Sequence, residues 1–328
     1  MSSHGKTLVT GAGGFIGSHL VEELLRRGQR VRAFVRYTSS GGIGCLSEIP
    51  SDLTGHLEIV HGDIRDGRAT RKAVAGCMRI YHLAALIGIP YSYVAPDAYV
   101  AVNIQGTLNI LEAARDLEVE RTIITSTSEV YGTALRTPID EDHPLQAQSP
   151  YAASKIGADQ LALSYHRAFG LPVMVVRPFN TYGPRQSARA VIPTIMSQAL
   201  AADRVRLGCL TPVRDMVFVK DTVAGFLACG ESTRCIGQVT NLATGSAVSI
   251  GELAQRICRL AGRLLPIEET DERRRPDASE VYKLIGSAVA ASERAGWRAT
   301  TSLDDGLRQT LDWVRGNLNS FSIDAYRV

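Results

Sequence analysis

A chain of 328 residues with 45% hydrophobic and 21% charged residues can bury a large core and is long enough for two domains. Its net charge of only +3 is spread along the sequence and excludes a nucleic-acid binder held by bulk charge, although Arg273-Arg274-Arg275 forms a local cationic patch suited to an anion. No run is long enough to cross a membrane, the N-terminus passes straight into a strand, and the six cysteines (45, 77, 209, 229, 235, 258) show no paired metal-ligand spacing; a cytoplasmic protein with reduced, packing cysteines and no metal is expected.

Residues 6–10 read as a buried strand that runs into Gly11-Ala12-Gly13-Gly14-Phe15-Ile16-Gly17 and then an amphipathic helix over 18–27. Glycines at 11, 14 and 17 permit a tight turn, close approach of backbone to a pyrophosphate and close packing of helix on strand, with the helix N-terminus at Phe15 and Ile16 receiving the phosphates. Strand, glycine loop and helix in this order predict dinucleotide binding. Apolar runs at 31–35, 57–60, 79–83, 122–125 and 173–176 read as further buried strands with helices between most of them, which predicts a parallel, wound α/β sheet. The second strand ends in Arg36-Tyr37-Thr38-Ser39-Ser40, with no carboxylate for the ribose hydroxyls of NAD. A guanidinium there pairs with a 2'-phosphate, so NADP is favoured and NAD remains open.

The chemistry is concentrated in two stretches. Ser126-Thr127-Ser128-Glu129-Val130-Tyr131-Gly132 precedes Tyr151-Ala152-Ala153-Ser154-Lys155 by about twenty residues. Lys155 follows Tyr151 by one helical turn, so both project from one face. An ammonium beside a phenol favours the phenolate and predicts a lowered phenol pKa, useful for a general base. Further on stands Arg177-Pro178-Phe179-Asn180-Thr181-Tyr182-Gly183-Pro184.

These segments, in this order, resemble the extended short-chain dehydrogenase/reductase family of nucleotide-sugar epimerases and dehydratases, over nearly the whole chain. The resemblance implies a Rossmann-type doubly wound parallel sheet over 1–178, to which the chain returns around 217–240, and a smaller, discontinuous substrate-binding cap over 179–328. It places Asp63 and Ile64 beside adenine and Leu83, Ala84 and Ala85 under the cofactor ribose. It implies nucleotide and diphosphate contacts from Asn180, Arg214 and Arg275; Arg185 and Arg189 are further cationic candidates, both open to reading as ordinary surface arginines. A homodimer through the helices 98–115 and 151–169 is also implied, covering their surplus apolar residues Val100, Ile104, Leu108, Leu111, Ile156, Leu161 and Leu163; the alternative is that the cap covers them.

Within that family a C4 epimerase needs only tyrosine, lysine and a hydroxyl, whereas a 4,6-dehydratase also needs a base for the C5 proton. Thr127-Ser128-Glu129 resembles the Thr-Ser-Glu of GDP-mannose 4,6-dehydratases, with Ser128 where dTDP-glucose 4,6-dehydratases carry a carboxylic acid. Thr127, Ser128, Glu129, Tyr151 and Lys155 are the expected catalytic set. The stretches 180–193 and 207–215 look most like 4,6-dehydratases acting on nucleotide-linked N-acetylglucosamine, so UDP- or GDP-N-acetylglucosamine is the expected substrate and the 4-keto-6-deoxy sugar the product. UDP-glucuronate decarboxylation and C4 epimerisation are the alternatives. Beyond residue 280 the likeness thins, with Gly286-Ser287 where an Asp-containing pair is usual.

Overall fold

The computed structural model describes residues 5–274 and 276–321. Strand β1 (Lys6–Thr10) leads through the glycine loop into α1 (Phe15–Arg26). There follow β2 (Val31–Arg36), β3 (Leu57–Gly62), α2 (Gly67–Val74), β4 (Cys77–His82), α3 (Ile89–Val94) and α4 (Pro96–Tyr99). A π-helical turn at Val100–Gln105 joins α4 to α5 (Gly106–Asp116), and β5 (Arg121–Thr125), α6 (Pro150–Phe169) and β6 (Val173–Pro178) complete the first half. The second half holds β7 (Asn180–Tyr182), α7 (Val191–Ala201), β8 (Val205–Leu207), β9 (Val213–Arg214), β10 (Met216–Phe218), α8 (Val219–Glu231) and β11 (Val239–Leu242). It continues with β12 (Val248–Ser249), α9 (Ile250–Leu260), β13 (Ile267–Glu269), β14 (Lys283–Leu284), α10 (Val289–Ala295) and α11 (Leu303–Gly316).

Seven strands form one parallel sheet in the order β11-β6-β5-β4-β1-β2-β3. Its central strands are apolar on both faces, β6 being buried along its whole length, because helices cover both sides. Strand order reverses between β1 and β4, so the crevice outside their carboxyl ends is the topological switch point of a doubly wound sheet. On one face α1 and α8 close a core that includes Leu20, Leu24, Phe226 and Trp297; on the other, α2, α5 and α6 close a core around Ile80, Ile110, Ile124 and Ala162. A separate cluster gathers Ile195, Phe218, Ile257 and Leu311 from α7, β10, α9 and α11. The last strand of the large sheet, β11, lies in sequence after α7 and the first short strands packed into that cluster.

Two sequence expectations change. The helix over 98–115 is interrupted: the π-turn admits an extra residue and buries Asn103, a local widening with use at the site below. Of the residues read as surplus on the two helices, Leu111 and Leu163 are buried in the sheet-facing core, because α5 and α6 also pack on each other. Val100 is exposed, and Ile104, Leu108, Ile156 and Leu161 are half-buried.

Candidate active site

At the switch point the β1 loop passes so close to the start of the β4 loop that a Cβ at Gly11, where φ is +65°, would lie 2.7 Å from the Ala84 backbone nitrogen. A Cβ at Gly17 would lie 2.3 Å from the Gly11 carbonyl, so helix and strand meet as closely as the glycine spacing predicts. The first turn of α1 has no side-chain cap and no acidic residue, and its N-cap is Gly14; Phe15 and Ile16 follow, half-buried. Uncapped N–H groups at a helix N-terminus suit a diphosphate, and the dinucleotide fits this cradle. Leu83 N donates to the Thr10 carbonyl at 3.2 Å and Ala84 N to Thr10 Oγ1 at 3.1 Å, which pins the Leu83-Ala84-Ala85 stretch over the ends of β1 and β4.

Arg36 ends β2 exposed, and no carboxylate follows it before Glu48. Across from it, Asp63 is gripped by Arg65 through Nε at 3.0 Å and Nη2 at 2.6 Å, which holds its carboxyl below the usual range. Ile64 is buried against Gly106.

The second cluster lies at the ends of β5 and α6. Thr127 is extended (φ −158°, ψ 153°) and its Oγ1 accepts from Glu129 N at 3.2 Å. The chain then makes a single 3-10 turn, Ser128–Tyr131, in which Ser128, Val130 and Tyr131 are buried and Glu129 is half-buried, as is Thr127 before it. Ser128, 2% exposed, is as buried as Tyr151 and Lys155, at 7% and 4%. Ser149 caps α6 by accepting from Ala152 N at 3.1 Å, with Pro150 at the first helical position, and this helix start presents Tyr151. The Tyr151 hydroxyl lies near Thr127, whose hydroxyl favours the phenolate, its ring meets Tyr99 edge-on at 6.2 Å, and Lys155 Nζ donates to the Thr125 carbonyl at 2.5 Å.

The electrostatics differ from the sequence expectation. Burial pushes the Tyr151 phenol well above its ordinary range, the Thr127 hydroxyl opposes this, and the charges of Glu129 and Asp159 push it further up. The ammonium meant to lower it is directed to the Thr125 carbonyl. Burial in turn pulls Lys155 down to about 8, with Asp159 opposing.

Several supporting residues had no sequence signal because their partners come from distant segments. Asn103, on the π-turn, accepts from Leu86 N at 2.9 Å and donates to the Leu86 carbonyl at 3.0 Å and Ser154 Oγ at 2.9 Å, tying the β4 loop to α6. His82 lies between Thr10 Oγ1 at 2.8 Å and Thr107 Oγ1 at 3.2 Å. Because Thr107 donates to the Asn103 carbonyl, His82 must donate through Nε2 and accept at Nδ1; burial lowers it to about 3, so it is neutral. Asp159 alone was readable, as the residue one turn beyond Lys155 on the same helical face.

Among the residues expected to anchor substrate, Asn180 has a buried Nδ2 without a partner, as a donor awaiting an anion would. Arg214 is buried and donates to Glu280 Oε1 at 3.2 Å. Arg189 is exposed, and its charge acts on Tyr99. Arg185 is not an ordinary surface arginine: its side chain is 9% exposed and pairs with Glu22 at 2.7 Å and Glu48 at 3.6 Å, linking α1 to the loop after β7. Arg275 lies outside the described residues.

Residues 8–310 match the family described as GDP-mannose 4,6 dehydratase. The chain belongs to that family. It is thus an extended short-chain dehydrogenase/reductase, in the branch that groups nucleotide-sugar dehydratases with epimerases. Relatives of this GDP-mannose 4,6 dehydratase family member include a dTDP-glucose 4,6-dehydratase of Streptomyces griseus, 34% identical over 95% of this chain and 94% of the relative. A UDP-glucose 4-epimerase of Mycolicibacterium smegmatis is also 34% identical, over 94% of this chain and 98% of the relative. Among solved structures, the dTDP-glucose 4,6-dehydratase DesIV of Streptomyces venezuelae, which holds NAD, superposes with a TM-score of 0.89 at 30% identity, covering 97% of this chain and 99% of that one. Family membership therefore spans two reactions, and the residues beside Tyr151 must decide between them.

Proposed function

We propose that the protein is a nucleotide-sugar 4,6-dehydratase, on one observation above all: a half-buried carboxylate, Glu129, in the turn that Thr127 caps, lies near enough to Tyr151 for its charge to act on the phenol. An epimerase has no use for that base. In this reading residues 1–178 hold the dinucleotide, and the cap, with Asn180, Arg189, Arg214 and Arg275, holds the nucleotide sugar. The bound nicotinamide supplies the hydride acceptor at C4 and the donor at C6. Tyr151, aligned by Thr127, takes the proton of the 4-hydroxyl. Glu129 removes the C5 proton, now acidic beside the ketone, and returns a proton to the C6 hydroxyl as it departs as water. Ser128 has no carboxylic proton to give, so one carboxyl serves as base and then as acid.

The substrate read from the 180–193 and 207–215 stretches is UDP- or GDP-N-acetylglucosamine. Incubation with UDP-, GDP- and dTDP-sugars followed by mass spectrometry is expected to show loss of water from an N-acetylhexosamine nucleotide. Loss of carbon dioxide, or unchanged mass with inverted C4, would refute the dehydratase.

For the cofactor, the exposed Arg36 at the end of β2, followed by no carboxylate before Glu48, supports NADP. A charge-assisted contact is worth roughly 1.5–3 kcal/mol, so Arg36→Ala should weaken NADP about tenfold or more and leave NAD nearly unaffected. Titration of the variant with both nucleotides checks this; equal losses for the two would reverse the preference.

A further inference from the structure

Behind Lys155 lies a buried charge cluster to which the catalytic reading gives no task. Asp159, fully buried, follows Lys155 by one turn of α6 and Tyr151 by two, so the three share a face. Its Oδ2 accepts from Ser126 Oγ at 2.7 Å, Arg177 Nη2 at 2.9 Å and Arg177 Nε at 3.1 Å. Arg177, 2% exposed, also donates through Nη1 to the Tyr131 hydroxyl at 2.9 Å, which in turn donates to Asn241 Oδ1 at 2.8 Å. The other carboxylate oxygen, Oδ1, is equally buried and has no hydrogen-bond partner. Nearby, the Lys155 ammonium has three N–H groups and one acceptor, the Thr125 carbonyl.

We infer that Asp159 is a positioning residue of the reaction, a carboxylate locked by Ser126 and Arg177 that keeps the buried Lys155 ammonium charged beside Tyr151. The other groups facing this point do not supply that charge. His82, on β4, is neutral; Arg177, on β6, is cationic; Tyr151 is a phenol; and Glu129, beyond the tyrosine, acts on the phenol. Burial raises the Asp159 carboxyl, while Arg177 and Ser126 lower it. The ionised form prevails because Oδ2 takes two N–H groups of the permanently charged Arg177 guanidinium. Burial pulls Lys155 down, and the Asp159 charge is what opposes this. The two make no contact ion pair, so the influence is exerted across space and stabilises the ammonium without drawing it away from the Thr125 carbonyl. An ammonium with a pKa of about 8 is mostly charged at neutral pH and loses its proton as pH rises through 8, so the descending limb of activity marks Lys155.

The inference rests on the catalytic reading of Tyr151 and Lys155, but its test does not depend on the substrate. The chain has five lysines, so lysine labelled with carbon-13 at Cε gives few resonances, and Lys155→Arg identifies the one sought in the purified protein. Wild type is expected to titrate near 8, and Asp159→Asn at least about one pH unit lower, with the descending limb of kcat displaced by the same amount and KM little changed. Should the unpaired Arg177 prevent Asp159→Asn from folding, Asp159→Asn with Arg177→Met removes the buried pair together, a change that cores tolerate. It predicts a smaller displacement in the same direction, since loss of the Arg177 cation also relieves Lys155 of a like charge. A folded variant of either kind with an unmoved Lys155 midpoint, or a kcat lowered equally at every pH, overturns the inference. A product other than the dehydrated sugar would refute the proposed reaction and leave the lysine titration standing.

Discussion

Tyr151→Phe is expected to lower kcat about a thousandfold while leaving the fold and the bound cofactor intact, because general acid–base groups contribute roughly 10²–10⁴-fold. The ring is what packs: its edge contact with Tyr99 survives the substitution, and only the hydroxyl near Thr127 is lost. The measurement is nicotinamide absorbance on mixing enzyme with substrate in a single turnover. Wild type reduces its cofactor transiently, and the variant should not. Reduction at the wild-type rate would mean that another group accepts the 4-hydroxyl proton. In this buried site the phenol, pushed above its ordinary range, is reluctant to give the phenolate that acts as base, so the charge balance around it decides the rate and a neutral replacement leaves nothing to take its place.

Glu129→Gln should block a different step. The side chain keeps its shape and loses its basicity, so C4 oxidation proceeds while elimination falls by about a hundredfold or more. Reduced cofactor and the 4-keto sugar then accumulate together, and both can be read, one by absorbance and the other by mass spectrometry. In deuterium oxide the wild-type product should carry one solvent deuteron at C5. A dehydrated product without that label removes Glu129 from the role, and a variant that never accumulates reduced cofactor assigns the carboxylate to binding instead.

Legibility from sequence followed the range of the interactions. Local signals read well: the Gly11, Gly14 and Gly17 spacing, the apolar runs of β1 to β6, and the one-turn separation of Tyr151 from Lys155 all depend on neighbours a few residues away. Glu129 and Ser128 show the limit, since the exposure of each depends on the 3-10 turn that carries both, and identity alone had grouped them. The phenol went wrong for a related reason: an ammonium four residues away was visible, but the desolvation of the pocket and the Thr125 carbonyl that takes Lys155 were not. The Asn103 and Arg177 networks join residues up to 110 positions apart, and the π-turn that buries Asn103 has no compositional mark. Arg185 read as a surface arginine because nothing in its own segment announces Glu22.

The place of β11 bears on how the molecule is made. The sheet lacks its seventh strand until Val239–Leu242 has been synthesised, and until then β6, buried along its length in the finished protein, is an open edge carrying an apolar Val-Met-Val-Val run. A chain emerging from the ribosome thus displays a sticky template for as long as it takes to produce the sixty or so residues between β6 and β11, roughly 3–12 s at about 5–20 residues per second. Pairing β11 with β6 closes that edge by a contact distant in sequence, which makes late arrival of the last strand the slow and aggregation-exposed stage of biosynthesis.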